Sequence, residues 1–158
     1  NKEGMFAIRV DRAFEMPTNQ PAVFTDSQGN PTTVRATDNE GVTGMYTSSS
    51  GLKGDAVWSS RNDWVLLSGT KDNVLTTFGF WDHPKNTGYP GHSHARGYGL
   101  FSTNNLGAQS YVKDHEKIVV TLKKGESLTL RHRFFIQSGK EITPDQANKI
   151  FKEFSALY

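Results

Sequence analysis

Between Trp81 and Phe101 the chain carries three of its five histidines, His83, His92 and His94, beside Asp82, Arg96, Tyr89 and Tyr98. An imidazole titrates near neutrality and can move a proton, and a guanidinium grips a hydroxyl or carboxylate through its planar fork. A carboxylate next to a histidine can fix the ring's tautomer. If His92 to Phe101 is extended, the two-residue period puts His92, His94, Arg96 and Tyr98 on one face, with Ser93, Ala95, Gly97 and Gly99 on the other. A strand facing a core would show apolar side chains on at least one face, so the ionisable face is expected to line a cleft.

Three roles fit these residues. In the first, His94 or His83 transfers a proton, Arg96 and Tyr98 orient substrate hydroxyls, and Asp82 holds a histidine. In the second, His92 and His94 bind one divalent transition metal, Zn, Fe or Cu, with His83, Asp82 or a distant carboxylate completing the shell. In the third, the same groups bond one another and the backbone and fix an awkward loop, in which Pro84, Gly88, Pro90 and Gly91 restrict the chain. Trp58, Arg61 and Trp64, around the turn from Ser59 to Asp63, could add an aromatic platform for a sugar ring, as could Trp81; core filling is the competing account. His132 alternates with Leu128, Leu130, Phe134 and Ile136 and reads as a bonded core histidine, with Arg131 and Arg133 on the other face of the strand. His115, in a charged turn, carries no functional weight.

The elements that must hold these groups are strands. Short runs rich in β-branched and aromatic residues, separated by Gly, Asn, Asp and Ser, mark an antiparallel all-β chain. Expected strands are Phe6 to Val10, a hairpin with Val23-Phe24 and Thr32 to Val34 around Asp26 to Pro31, then Val42 to Thr47, Ala56 to Ser59, Trp64 to Ser68, Val74 to Trp81, Ile118 to Leu122 and Ser127 to Gln137. One segment differs. Thr143-Pro144-Asp145-Gln146 has the hydroxyl, proline and glutamine of a capping box, so a helix is expected over about 143–157, burying Ala147, Ile150, Phe151, Phe154 and Leu157. The expectation is an all-β antiparallel sandwich with one C-terminal helix.

Length and composition narrow the function. At 158 residues the chain is the size of one domain, and 35% apolar residues including ten Phe, five Tyr and three Trp suffice for a core of rings. A net charge of +2 with both signs scattered gives no basic face for nucleic acid. There is no cysteine, which excludes thiol nucleophiles, thiolate metal sites and disulfides. No apolar run reaches the roughly 18 residues a membrane-spanning helix needs. Neither a phosphate-cradling glycine loop nor a Gly-x-Ser-x-Gly elbow occurs, and the acids are too dispersed to suggest a glycosidase pair.

Phe80-Trp81-Asp82-His83-Pro84-Lys85-Asn86, then Pro90, His94-Ala95-Arg96 and Tyr98-Gly99-Leu100-Phe101, resemble the bacterial PmoA-like family, also filed as methane-oxygenase-PmoA-like. Its pattern is roughly F-D-H-P-x-N, then P, then W-H-x-R and a Y-G-L-F-like strand. Gly51 to Asp55, Trp58-x-x-Arg61-x-x-Trp64 and Gly125-Glu126 with Leu128 to Arg131 extend the likeness over most of the chain. Ser93 departs from the family's Trp, and His92 adds a histidine. The resemblance implies a large sandwich similar to the sugar-mutarotase class, of which this chain is the C-terminal half, and pairing with an N-terminal half or a second chain. It also implies a secreted or periplasmic protein with a carbohydrate ligand, as an enzyme or as a binding module. With no spanning segment, a membrane oxygenase subunit is not what it implies.

Overall fold

Four consecutive large apolar residues, Trp64-Val65-Leu66-Leu67, can form a strand only if both of its faces are covered. In a computed structural model of the chain, which describes residues 5–18, 22–35, 39–112 and 117–158, they are. The strands are β1 (Met5–Arg9), β2 (Ala22–Thr25), β3 (Pro31–Arg35), β4 (Met45–Ser48), β5 (Trp64–Lys71), β6 (Val74–Asp82), β7 (His92–Ala95), β8 (Leu100–Asn104) and β9 (His132–Ser138), followed by helix α1 (Pro144–Ser155). An antiparallel four-stranded sheet in the order β4-β5-β6-β9 packs against a three-stranded sheet β1-β8-β7, and β2-β3 is a separate hairpin. The fold is an all-β antiparallel sandwich with one C-terminal helix.

Two apolar clusters account for the layers. Val65, Leu67 and Phe80 of the four-stranded sheet meet Ala95 and Phe101 of the three-stranded sheet, with Tyr46, Val57 and Phe14 at the margin. Phe80 is the hinge of this core, its ring edge-on to Phe101 at 4.6 Å and to Phe6 at 5.1 Å. Trp64, Leu66 and Trp81 leave the opposite face of the same strands and receive Ala147 and Phe154 of α1. Rings of this size bury roughly 150–250 Å² each, several kcal/mol apiece at about 25 cal/mol per Å². The capping box starts the helix: Gln146 N donates to the Thr143 hydroxyl at 3.3 Å, and Thr143 N to Gln146 Oε1 at 3.0 Å.

Where the structure departs from the expected strands, local hydrogen bonds explain it. Residues 54–57 form a 3₁₀ turn instead of a strand, because Gly54 and Ser59 take positive φ and Trp58 N bonds back to Asp55 O at 3.1 Å. β4 starts at Met45, since the amides of Thr43 and Gly44 bond to Ala13 O and Glu15 O. The segment 118–122 joins no ladder, and the long strand expected from Ser127 begins only at His132, where β6 supplies the partner. Val119, Val120 and Leu122 are exposed.

The segment His92 to Phe101 is a hairpin rather than one extended strand. Gly99, at φ +85°, turns the chain, with Gly99 N bonding Arg96 O at 3.1 Å and Arg96 N bonding Leu100 O at 3.0 Å. β7 pairs with β8 from His92↔Asn104 to Ala95↔Phe101. The small residues Ser93 and Ala95 turn inward, letting the backbone of β7 approach the core. His92 and His94 therefore project from the outer face of the sheet, next to Ser102 and Asn104.

Candidate functional site

The residues singled out in the sequence divide among three environments. The first is under the helix. His83 is wholly buried, its ring edge-on to Phe154 at 5.0 Å. Its Nδ1 accepts from Lys85 N at 3.1 Å, so Nε2 carries the hydrogen and donates to Leu157 O at 2.9 Å. Both nitrogens are engaged, which removes His83 from proton transfer to a ligand. Trp81 is also wholly buried and donates to Ala147 O at 2.9 Å, and Trp64 donates to Asn148 Oδ1 at 2.8 Å, so neither is a ligand platform. Arg131, just before β9, and Arg133, within it, lie over the rings of Tyr158 and Phe154.

The second environment is between the sheets, where the last residue of β6 points inward. Asp82 is 2% exposed. Oδ1 accepts from Asn86 Nδ2 at 2.6 Å and lies 3.3 Å from His132 Nε2; Oδ2 accepts from Gly91 N at 2.7 Å and Asn105 Nδ2 at 2.8 Å. Burial pushes the carboxyl up, but the bonds from His132, Asn86, Gly91 and Asn105 outweigh it and hold the group below the usual carboxylate range. His132 Nε2 also faces Asn105 Oδ1 at 2.9 Å. Asp82 thus does hold a histidine, but the ring is His132, not one of the loop histidines. Asn86 bonds the backbone on both sides of Arg131, Nδ2 to its carbonyl at 2.6 Å and Oδ1 from its amide at 2.7 Å. Arg61 anchors the other end of the loop, donating from Nε to Pro90 O at 2.8 Å and from Nη2 to Tyr89 O at 2.9 Å. Those two bonds tie Arg61 to the loop. A cavity between the sheets, lined by Asn62, Phe80, Asp82 and Ser93 among others, has room for about one water molecule and none for a substrate.

The third environment is the outer face of β7. Residues 59–61 flank that edge: Ser59 N bonds Ser93 O and Ser93 N bonds Ser60 O, both at 2.8 Å, which delivers Trp58 beside the histidines. His92 is buried and donates from Nδ1 to Ser59 O at 2.8 Å. His94, half-buried, has Nδ1 3.0 Å from the Tyr111 hydroxyl, and its Nε2 accepts from Arg96 Nε at 3.4 Å. A guanidinium donating to Nε2 makes that nitrogen the acceptor, so Nδ1 carries the hydrogen toward Tyr111. The Arg96 Cζ sits 4.3 Å from the centre of the Trp58 ring, a cation–π stack. Tyr111 comes from the turn that follows the 3₁₀ residues Ala108–Ser110; its ring stacks on His92 and stands edge-on to His94, and its hydroxyl accepts from Asn104 Nδ2 at 2.8 Å.

The third environment alone combines a histidine of fixed tautomer, a cation, a phenol and an indole in half-buried positions. Tyr98 is not part of it: the turn at Gly99 carries Tyr98 away, half-exposed, under the guanidinium of Arg9 at 5.2 Å. The metal shell does not form from the residues expected for it. His83 and Asp82 face other layers, a guanidinium sits where a cation at His94 Nε2 would bind, and no group of three His, Asp or Glu among the described residues is placed to hold a metal.

A family model described as a family of unknown function, DUF6807, matches residues 1–152. The chain belongs to that family. No curated protein and no solved structure matches it. The matched span of DUF6807 includes both polar clusters. In this DUF6807 chain the partners that the sequence did not reveal are Tyr111, Asn104 and Asn105, none of which belongs to a motif. Asn104-Asn105 closes β8, and its pairing register with β7 is the signal that would have put Asn104 beside His92. Tyr111 reaches the site through a turn and leaves no period to read. His115 lies outside the described residues.

Proposed function

We propose that the chain is a carbohydrate-active protein whose saccharide site is the outer face of β7, formed by His92, His94 and Arg96 with Trp58 and Tyr111. The observation that carries this reading is the Trp58–Arg96–His94–Tyr111 chain of contacts, which couples aromatic surface to fixed hydrogen-bond donors and acceptors. Sugars present the matching chemistry, apolar C–H faces bordered by hydroxyls. Arg96 covers one face of Trp58, so the indole serves to hold the guanidinium plane as well as to offer ring surface. His94 is the group suited to move a proton, with Tyr111 on one nitrogen and Arg96 on the other. The resemblance to PmoA-like proteins supports both the carbohydrate ligand and a secreted or periplasmic location. No helix among the described residues is long and apolar enough to cross a membrane.

A panel of plant and bacterial polysaccharides, assayed for binding and for product release with wild type and His94→Ala, tests the reading. Binding of at least one glycan, with product release lost in His94→Ala and affinity changed by less than about tenfold, identifies an enzyme. Binding without product release, weakened by the same substitution, identifies a binding module. No binding to any member of the panel overturns the saccharide site.

A further inference from the structure

We infer that the ligand of the β7 face is an acidic saccharide, and that Arg96 takes the carboxylate of a uronate residue. The inference rests on the saccharide reading and deepens it. Arg96 is half-buried at the end of the polar face, stacked on Trp58 and bonded through Nε to His94. These two contacts fix the plane and the direction of the guanidinium. Its remaining nitrogens, Nη1 and Nη2, have no acceptor among the described residues, and no described carboxylate pairs with the charge.

A half-buried cation with no counter-ion is unfavourable, and a stack on indole compensates only part of the lost hydration. An oriented fork with both ends available is the geometry that meets a carboxylate through two parallel N–H···O bonds. A neutral sugar meets both only through two separate hydroxyls and brings no charge to balance the cation. The other arginines of the core region sit in different surroundings. Arg61 is bonded to two carbonyls of the loop, whereas Arg131 and Arg133 lie on the far side of the four-stranded sheet against Tyr158 and Phe154. Arg131 and Arg133 are likewise half-buried and stacked on rings without an acceptor among the described residues, and what sets Arg96 apart is that a histidine nitrogen also holds its Nε, which gives the fork one direction. A planar carboxylate is favoured over a tetrahedral sulfate ester because the fork is planar and already fixed on one edge.

The test uses oligogalacturonate and oligoglucuronate beside their carboxyl-reduced counterparts and a sulfated neutral oligosaccharide, titrated calorimetrically into the full chain at low and high salt. The expected result is that one uronate oligomer binds about tenfold or more tightly than its reduced counterpart, with the advantage shrinking in salt. Arg96→Gln should abolish that preference, so that the acidic and reduced sugars bind alike, and Arg96→Lys, which keeps the charge without the fork, should recover only part of it. If the Arg96 variants fail to fold by circular dichroism, the wild-type comparison and its salt dependence decide alone. Equal binding of acidic and reduced sugars, or preference for the sulfated one, overturns the uronate assignment and leaves the saccharide site standing. No binding by any of these oligomers, together with an empty polysaccharide panel, overturns both.

Discussion

At Asp82, each carboxylate oxygen meets two nitrogen donors, and every partner is itself tied to a strand or to the loop. At Arg96, further along the sequence, two of the three guanidinium nitrogens have no partner among the described residues. The two regions draw on the same residue types, histidine, asparagine and an aromatic ring, yet they do opposite things. Saturation between the sheets makes the Asp82 network a structural fastener, because a buried carboxylate survives only when its lone pairs are met. On an outer face, the two Nη nitrogens of Arg96, without a partner among the described residues, keep bonding capacity that a ligand can use. The comparison teaches that a polar motif is assigned by how many of its hydrogen bonds are already made, not by which residues it contains.

The comparison breaks if the loop can be altered without unfolding the chain. The largest effect is expected from Gly88→Ala. Gly88 sits at φ +78°, and a Cβ there would lie 1.9 Å from Asn105 O, so both backbone strain and a clash with main chain are unavoidable. Strain and overpacking together should cost roughly 3–5 kcal/mol, read as a lower urea midpoint. A loss below about 1 kcal/mol would mean that the loop is not clamped onto Asn105.

Asp82→Asn sharpens the comparison through pH. Because the folded-state pKa of Asp82 lies below its unfolded value, its stabilisation is fully present above the ordinary carboxylate pKa of about 4 and is lost as pH falls through the folded value. The variant should be less stable than wild type by about 2–3 kcal/mol at neutral pH, the scale of charged hydrogen bonds lost in a buried site. On acidification that gap should narrow, as urea unfolding at neutral pH and near pH 3 would report. A gap that does not change with pH would show that charge plays no part in the fastener.

The smallest stability effect is expected at the other region. Tyr111→Phe removes a hydroxyl shared by Asn104 and His94 and should cost about 1 kcal/mol. Its effect on glycan binding or turnover should be the larger, because the His94 ring loses the partner on Nδ1. A variant that is strongly destabilised yet unchanged in binding would move the β7 face into the same structural class as Asp82.

The sequence revealed the layers well and the division of labour poorly. Alternation located the strands of both sheets, and the capping box located α1, since both are local periodicities that the backbone enforces by itself. It erred where a local turn or an absent neighbour wins. Residues 54–57 obey the positive φ of Gly54 and Ser59, and residues 118–122, with strand propensity of their own, meet no ladder partner among the described residues. Asp82 and His83, adjacent in the motif, suggest one site. The alternation of β6 carries over to the residue that follows it, so Asp82 goes between the sheets and His83 beneath the helix.

Local sequence is enough for the all-β class, the terminal helix, and the placing of His92 and His94 on one side of a strand with Arg96 directly after it. Tertiary structure decided the rest, namely that Gly99 turns Tyr98 out of that face, that His132 and Asn105 claim Asp82, and that Trp58 and Tyr111 join the histidines. The physical reason is range. Strand period and helix capping are set by bonds within a few residues, whereas the partners of a polar side chain are set by which distant segments the packed core brings within about 3 Å of it.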